Sequence, residues 1–330
     1  MCTALIILCG ARLRRFCFPQ ADVPPPNGTA HFVSIKTYAP ADLQEPTIDR
    51  LSGGLALRLP YRMVADSRGR LFVTDPSLSV IHVFDVKQGK HWQIRRDREQ
   101  PLIHPTFIAV DDEDNIYVTD SGRALVIVYL PNGHFKRAIG EGYLSRPAGV
   151  VVDILHRALY VADWQRKEIQ VYTLDSYLYQ VFADRGSSPG HLTGPLDLAI
   201  SHHELAVLDS ENSRFELFNL TGQFRGSRPF GQNRKPTAFT FDAAGILYYC
   251  DLESGGLVAP DAQGEELAGW GVQHNYGQLV LDYDTRPFLS VTIDPLGVIL
   301  ALRPSFLIEA VKLEMAPGEL VDPKMPLAVQ

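Results

Sequence analysis

The sequence predicts an all-β fold in which six similar units, each a meander of four antiparallel strands, are arranged around a ring. The first observation is a short apolar strand ending in aspartate that recurs along the 330 residues, as in IYVTD, LYVAD and LAVLD. The second is its spacing, because successive aspartates are separated by 45, 43, 46 and 42 residues, the length of one four-stranded propeller blade. The third is hydrophobic alternation with a period of two, without a long helical stripe. The aspartates are Asp75, Asp120, Asp163, Asp209 and Asp251.

A proline opens each unit and gives the same register. It is followed by alternating apolar positions and usually by an aspartate, as in PAGVVVD and PTAFTFD. The prolines are Pro60, Pro105, Pro147, Pro195, Pro236 and Pro287. Because there is one more proline than there are strand-ending aspartates, the prolines predict a sixth unit.

Turn residues divide each unit into four strands. Gly or Asn separates the first strand from the second in DSRGRLF and DDEDNIY, and a glycine separates the third from the fourth in LPNGHF and LTGQF. The sheet of one such meander has an apolar face and open edges. A radial arrangement buries those faces on one another and leaves only short edges, so a six-bladed β-propeller is predicted.

The two ends of the chain are expected to complete the ring. After FLIEAVKLE the sixth unit has no fourth strand, only the Pro-containing tail 317–330. The segment AHFVSIKTY, Ala30–Tyr38, alternates like a strand and would leave Phe32, Val33 and Ile35 in solvent if it stayed unattached. It is therefore predicted to supply the outer strand of the last blade and to close a propeller that spans residues 30–316.

Residues 1–29 are predicted to be a leader or tether. The apolar run TALIILC is too short to span a bilayer, and its arginines follow it instead of preceding it as in a secretory signal. LIILCG nevertheless places a cysteine after an apolar run, as in a lipoprotein lipobox, and FPQADVPPPNG has the composition of a stiff tether. Export or attachment to the cell envelope is favoured over a cytoplasmic location, with a disordered start as the alternative.

The units resemble the NHL-repeat six-bladed β-propellers, whose repeats carry a proline, an apolar strand, an aspartate, a turn and then G/N-x-I/L-Y-V-x-D. The resemblance covers Pro60 to Glu314 and is strongest in the second and third units. Ser201 replaces the first aspartate of the fourth unit, and Arg303 stands where the sixth unit should end in aspartate. The strand-ending aspartates are expected to be structural, accepting hydrogen bonds from backbone N–H groups of the next turn.

The resemblance implies two kinds of catalytic metal site, and the sequence fits neither. In the peptidylglycine amidating lyase, an enzyme with these repeats, zinc-binding histidines follow the blade-opening prolines. Lactonases of related shape hold calcium with Glu, Asn and Asp, whereas Asp197 is the one obvious inner carboxylate here. The residues that follow the prolines are Tyr61, Thr106, Ala148, Leu196, Thr237 and Phe288. No metal or other cofactor is predicted.

His104, His191 and His274 form an alternative metal trio, since they come from the loops that lead into the first strands of different units (lead-in loops). They stand 1, 4 and 13 residues before the following proline, so no common geometry is implied. Exposed loop histidines are the favoured interpretation. A hydrolase or lyase with a metal in the central channel therefore stays the alternative to a non-catalytic binding or scaffolding module.

Propeller topology places the lead-in loops on the same face as the turns between second and third strands, and we call this the rim face. Although the net charge of the chain is −7, cations and aromatic residues collect on this face. Arginine beside Trp or Tyr is typical of protein-binding hot spots. The candidate binding residues are Arg123, Tyr143, Arg146, Trp164, Arg166, Lys167, Arg214, Arg234, Lys235, Tyr276, Arg286 and Arg303.

The predicted partner of this monomeric propeller is a protein. An anionic glycan or a nucleic acid is the alternative, and a membrane is expected only through an N-terminal anchor. A competing interpretation is that the arginines pair with the strand-ending aspartates. Trp164 is expected to be exposed without a core role, and replacing Arg166 and Lys167 by glutamate is expected to leave stability almost unchanged.

Overall fold

The structure is a computed structural model that describes residues 4–7, 14–17, 30–38, 57–85, 87–97, 100–231, 233–260, 266–270, 287–303 and 308–315. Ahead of the repeats, β1 (Ala4–Ile7) pairs antiparallel with β2 (Arg14–Cys17), and β3 spans Ala30–Tyr38. Within these ranges the structure contains no helix long and apolar enough to cross a membrane.

Five four-stranded sheets follow in chain order, and each is an antiparallel meander of consecutive strands. Blade 1 consists of β4 (Met63–Ala65), β5 (Leu71–Asp75), β6 (Val80–Asp85) and β7 (Lys90–Ile94). The short strands β8 (Arg96–Asp97) and β9 (Gln100–Pro101) pair before blade 2. Blade 2 consists of β10 (Pro105–Val110), β11 (Ile116–Asp120), β12 (Leu125–Tyr129) and β13 (Phe135–Ile139).

The next three blades repeat this arrangement. Blade 3 consists of β14 (Pro147–Asp153), β15 (Ala158–Asp163), β16 (Glu168–Thr173) and β17 (Leu178–Phe182). Blade 4 consists of β18 (Pro195–Ser201), β19 (Glu204–Asp209), β20 (Arg214–Asn219) and β21 (Phe224–Pro229). Blade 5 consists of β22 (Pro236–Phe241), β23 (Leu247–Asp251), β24 (Leu257–Pro260) and β25 (Glu266–Trp270).

A further sheet is composite and corrects the predicted architecture. It joins β26 (Ser290–Ile293), β27 (Ile299–Leu302) and β28 (Ile308–Met315) to β3 from the start of the chain. Among the described residues the propeller therefore has five complete blades of consecutive strands, not the predicted six. The reason is that the described residues of the last unit form three strands of their own, β26, β27 and β28.

The prediction that the N-terminal strand closes the ring is also corrected. The ring closes where β26 lies beside β4, and there the backbone N–H of Met63 donates to the Ser290 hydroxyl over 3.0 Å. Met63, Leu300 and Leu302 are buried in one apolar cluster at this junction. β3 pairs with β28 at the outer edge of the composite sheet, the position predicted for it, and lies near β25.

The apolar core lies between neighbouring blades, as the radial arrangement predicts. Tyr117 of blade 2 and Tyr172 of blade 3 belong to one buried cluster, and Val171 of blade 3 and Phe218 of blade 4 belong to the next. β11 is buried along its whole length because both faces of its sheet are covered. Its continuous burial explains why the recurring strand is apolar at nearly every position.

The strand-ending aspartates have the predicted structural role, together with a second one. Asp120 accepts the backbone N–H of Arg123 in the following turn over 3.3 Å. It also accepts the backbone N–H groups of Ile103 (2.8 Å) and His104 (2.9 Å) in the lead-in loop. Asp163 binds its own lead-in loop in the same way. These bonds tie each lead-in loop to the turn after the second strand, so the two sets of loops share the rim face.

Candidate functional site

The turn after the second strand has a fixed backbone conformation on the rim face. In the first four blades, the residue just before the third strand has a positive φ between 54° and 63°, although it is not glycine. These residues are Ser79, Ala124, Lys167 and Ser213. In blade 3 the turn is held by the Lys167 N–H, which donates to the Asp163 carbonyl over 2.8 Å. The side chains of this turn are therefore presented from a rigid backbone.

Trp164 lies at the centre of a group of cations on this turn. The Cζ atom of Arg146 is 4.6 Å from the centroid of the Trp164 ring, and the Nζ atom of Lys167 is 3.7 Å from it. Both distances are those of cation–π contacts. Trp164 itself is half-buried and packs against the apolar cluster between blades 2 and 3. The expectation of an exposed Trp without a core role was therefore wrong.

Lys167 is buried, so the expected tolerance of a charge reversal, which assumed an exposed side chain, had a wrong premise at this residue. It is 7% exposed, and its Nζ atom lies 3.7 Å from a carboxylate oxygen of Glu211 in blade 4. Its ammonium thus contacts an aromatic ring and an acid in the neighbouring blade. Lys167 joins blades 3 and 4, and its charge is compensated within the protein.

Arg146 contrasts with Lys167, because it is exposed and its guanidinium has no hydrogen bond or ion pair with any described residue. Its backbone N–H donates to Asp163 over 3.1 Å, which fixes the loop that carries it. Tyr143 on the same lead-in loop is 55% exposed. Arg166 is also exposed, with its Nε atom 3.9 Å from Asp163. We call Tyr143, Arg146, Trp164, Arg166 and Lys167 the Trp164 cluster.

The other predicted binding residues are mostly engaged within the protein. Arg234 donates to Asp251 over 3.0 Å, and Arg214 donates to the Ser188 carbonyl over 2.9 Å and pairs with Glu216. The competing interpretation, pairing with strand-ending aspartates, therefore holds for Arg234 and, at a longer distance, for Arg166.

Three further candidates are placed outside the Trp164 cluster. Arg123 lies within 3.4 Å of the Gln100 side chain, and the buried Arg303 stacks over Phe288 at 3.8 Å. Lys235 is exposed, and its backbone N–H donates to Asp251 over 2.7 Å. The structure thus brings Arg146, Trp164 and Lys167 into contact, with Tyr143 and Arg166 on the same two loops. Tyr276 and Arg286 lie outside the described residues.

The long lead-in loop of blade 4 is bonded to the second and third strands of its own blade and to the turn between them. Asn212 donates to the Gly186 carbonyl over 3.0 Å, and the buried Glu216 accepts a hydrogen bond from the Ser227 hydroxyl over 2.7 Å. Burial raises the pKa of Glu216, which the Ser227 bond and Arg214 counteract. The Asn212 bond therefore holds this loop against the turn after the second strand of blade 4.

The central channel contains an arginine that sequence reasoning missed. Arg62 is 6% exposed, and its guanidinium donates to the backbone carbonyls of Tyr61, Thr237 and Leu289. These carbonyls belong to blade 1, blade 5 and the residues just before β26. One side chain thus connects strands that are far apart in sequence.

Arg62 also contacts two blades on other sides of the channel. Its Cζ atom lies 4.4 Å from the centroid of the Phe107 ring in blade 2, and its Nε atom lies 3.8 Å from Asp197 in blade 4. Asp197 accepts the backbone N–H groups of Leu198 (2.9 Å) and Phe239 (3.4 Å). Burial raises the pKa of Asp197 from 3.8 to about 6, although Arg62 acts in the opposite direction.

Blade 3 approaches this group closely through a glycine. A Cβ atom added to Gly149 would lie 2.7 Å from the Cα atom of Asp197. Only glycine fits such a close approach of two backbones. The centre of the ring is therefore packed around Arg62 and Asp197.

The predicted histidines do not form a shared site among the described residues. His104 bonds the Ser121 hydroxyl at 2.9 Å, and His191 lies 3.3 Å from the Pro189 carbonyl. His274 is outside the described residues, so the proposed trio stays a prediction. In the part of the chain that the structure describes, no three His, Cys, Asp or Glu side chains are grouped to hold a metal.

Blade 1 contains a buried histidine pair that the sequence did not indicate. His82 Nδ1 lies 3.0 Å from His91 Nε2, and both rings stack with Phe84. Burial and the neighbouring His91 lower the pKa of His82 to about 3. His82 is thus a neutral core residue at physiological pH.

Comparisons with known proteins agree with this architecture. Residues 102–129, which include the whole of β10, β11 and β12, match the NHL repeat family. No curated protein sequence was found to match the chain.

Solved structures are similar in fold at low sequence identity. A streptogramin B lyase is 13% identical, with a TM-score of 0.61, and the match covers 87% of this chain and 98% of the lyase. A chain of a nidogen/laminin complex is 22% identical with a TM-score of 0.61, covering 80% of this chain and 97% of that one. A gluconolactonase from Xanthomonas campestris is 16% identical with a TM-score of 0.60, covering 79% and 87%. The chain is thus an all-β propeller protein that carries an NHL repeat.

Proposed function

We propose that this protein is a non-catalytic binding or scaffolding module whose rim face receives a protein partner at the Trp164 cluster. The observation that carries the proposal is the combination of an exposed tyrosine, a half-buried tryptophan and an arginine. The guanidinium of this arginine has no hydrogen bond or ion pair with a described residue. Tyr, Trp and Arg are the residues most enriched in binding hot spots.

The rigidity of the Trp164 cluster supports the same function. The loops that carry Tyr143 and Trp164 are both bonded to Asp163, and Lys167 ties the cluster to Glu211 of blade 4. A binding surface that is already ordered loses little conformational entropy when a partner docks. The similar chain from a nidogen/laminin complex indicates that this fold takes part in a protein complex elsewhere.

The alternative is a propeller hydrolase or lyase with a metal in the channel. The similarity in fold to a lyase and a gluconolactonase is the observation that favours it. The channel chemistry supports it less well than binding. Asp197 is bonded to Leu198 and Phe239 and lies beside Arg62, so its carboxylate already has partners. A cation held at Asp197 would also be repelled by the guanidinium.

Photo-crosslinking from two matched tyrosines tests the proposal. Tyr143 on the rim face is 55% exposed, and Tyr177, in the turn between β16 and β17 at the opposite end of blade 3, is 73% exposed. Each is replaced in turn by a photoreactive phenylalanine in the full chain, expressed in its native cells. We expect one discrete protein adduct from position 143 and none from position 177.

Two results would contradict the proposal. An adduct from position 177 alone would place the partner on the other side of the ring. Turnover of a substrate that is abolished by a chelator, without any adduct at position 143, would favour the metal-dependent enzyme.

A further inference from the structure

We propose that Arg146 is a carboxylate receptor and that the docking segment of the protein partner is an acidic peptide. This inference rests on the proposed function and specifies the chemistry of its partner. The guanidinium of Arg146 lies over the Trp164 ring at 4.6 Å, and no described residue gives it an anionic partner. A guanidinium that lies over an aromatic ring keeps its edge N–H groups available, and their planar fork matches a carboxylate.

The charges around Arg146 explain why this residue differs from its neighbours. Lys167 is 3.7 Å from Glu211, and Arg166 is 3.9 Å from Asp163, so each of these cations has an acid of its own. Counting the three cations of the Trp164 cluster against these two acids leaves one positive charge, that of Arg146. Lys235 of blade 5 is also exposed, but it lacks an aromatic ring to orient it among the described residues.

The same count of charges favours a single carboxylate over a polyanion. Nucleic acids and sulfated glycans bind through many phosphate or sulfate contacts at once, which need a broad surface of cations. Glu211 and Asp163 beside the cluster would repel such a chain. One aspartate or glutamate side chain, by contrast, needs only the fork of Arg146.

Tyr143 predicts which residue of the peptide lies beside the bound Asp or Glu. Its side chain is 55% exposed on the lead-in loop that carries Arg146, three residues away. An exposed ring on the same loop as the receptor suits a peptide with an apolar or aromatic side chain close to the bound carboxylate. The expected motif is therefore Asp or Glu next to an apolar residue in an extended segment.

A displayed library of random peptides about twelve residues long, selected on the immobilised full chain, tests this inference. We expect the recovered peptides to share an Asp or Glu, and its replacement by Asn or Gln to weaken binding about 10- to 100-fold, the loss of a charge-assisted hydrogen bond. Arg146→Gln should weaken binding of the acidic peptide to a similar extent. On that variant, the acid-to-amide change should have almost no further effect, because the two changes remove the same contact.

Arg225→Gln is the matched control, since Arg225 is exposed on the outer strand β21 and its side chain has no hydrogen bond, ion pair or ring contact with another described residue. It should bind the peptides like the wild type. Peptides recovered without a shared acid, or equal binding by Arg146→Gln, would overturn the carboxylate receptor and leave the binding module standing. Tight binding of a heparin fragment or an RNA oligonucleotide in place of any peptide would overturn both.

Discussion

Two arginines in this propeller lie over aromatic rings, and their surroundings give them different roles. Arg62 is in the central channel, 4.3 Å from the ring of Tyr61 and 4.4 Å from that of Phe107, and is 6% exposed. Arg146 is on the rim face, 4.6 Å from the ring of Trp164, and is exposed. The ring contacts are nearly equal, so the difference lies in the remaining partners of each guanidinium.

The guanidinium of Arg62 is hydrogen-bonded to residues of several blades, whereas the guanidinium of Arg146 is exposed to solvent. Arg62 donates to three backbone carbonyls and lies beside Asp197. Arg146 makes no such bond with any residue in the described ranges. A buried charge must be compensated where it stands, but an exposed one is compensated by water until a ligand replaces it. Arg62 therefore serves the fold, and Arg146 is available for binding.

Removing the channel arginine should produce the largest effect. Arg62→Met leaves Asp197 buried without its cation, so at pH 7 we expect the free energy of unfolding to fall by about 3 to 5 kcal/mol. Arg146→Met should lower it by about 1 kcal/mol or less, the value of an exposed cation–π contact. Urea denaturation of both variants measures this. Should Arg62→Met not fold, Arg62→Lys keeps the charge and should still lose more stability than Arg146→Lys; equal losses would contradict the comparison.

The pH dependence of stability should report the cost of ionising Asp197. Its pKa is about 6 in the folded protein against an ordinary 3.8, so the folded state binds this proton more tightly than the unfolded state. The stability it contributes is fully present below about pH 4 and is lost as the pH rises through about 6. Relative to Asp197→Asn, which does not titrate, the wild type should lose about 3 kcal/mol over the whole titration, about 2 kcal/mol of it between pH 4 and 6. A constant difference between the two proteins from pH 4 to 7 would exclude this role.

Within the Trp164 cluster, replacing the buried Lys167 should lower stability more than replacing the exposed Arg166. This difference should be smaller than that between Arg62 and Arg146. Lys167→Glu places a carboxylate in a site that is 7% exposed and faces Glu211, so we expect a loss of about 1 to 3 kcal/mol. Arg166→Glu changes a side chain that is 44% exposed and should cost less than about 1 kcal/mol. Thermal unfolding of the two single variants checks the order. If Arg166→Glu were the more damaging change, the burial assigned to Lys167 would be wrong.

The repeated parts of the fold could be predicted from the sequence because their determinants are local. A strand such as β11 is apolar throughout, begins after a glycine or asparagine turn and ends in an aspartate that bonds nearby backbone. Blades 1, 2 and 5 carry all of these signals within their own residues, whereas blades 3 and 4 keep the apolar strand and its aspartate but turn through Arg157 and through His202 and His203. The end of the ring could not be predicted in the same way, because its closure depends on packing between Met63 and Leu300, which are distant in sequence.

The candidate site was predicted in part, for a related reason. The rim face followed from topology, and the bonds from Asp120 and Asp163 confirm that lead-in loops and turns meet there. The burial of Lys167 was missed because its neighbour Glu211 belongs to another blade. Arg62 was missed because its position in the repeat has no common residue type, and its role arises only where several blades converge.

The most direct test of the account compares the two guanidinium groups in one wild-type sample. The full chain is labelled with ¹⁵N-arginine, the Nε–H signals of Arg62 and Arg146 are assigned with the Arg→Lys variants, and tetraglutamate is added with tetraglutamine as the uncharged control. We predict that tetraglutamate moves the Arg146 signal in a saturable manner, that the Arg62 signal stays in place, and that tetraglutamine moves neither. A response from Arg62, or no response from Arg146, would contradict the assignment of the channel arginine to the fold and the rim arginine to binding.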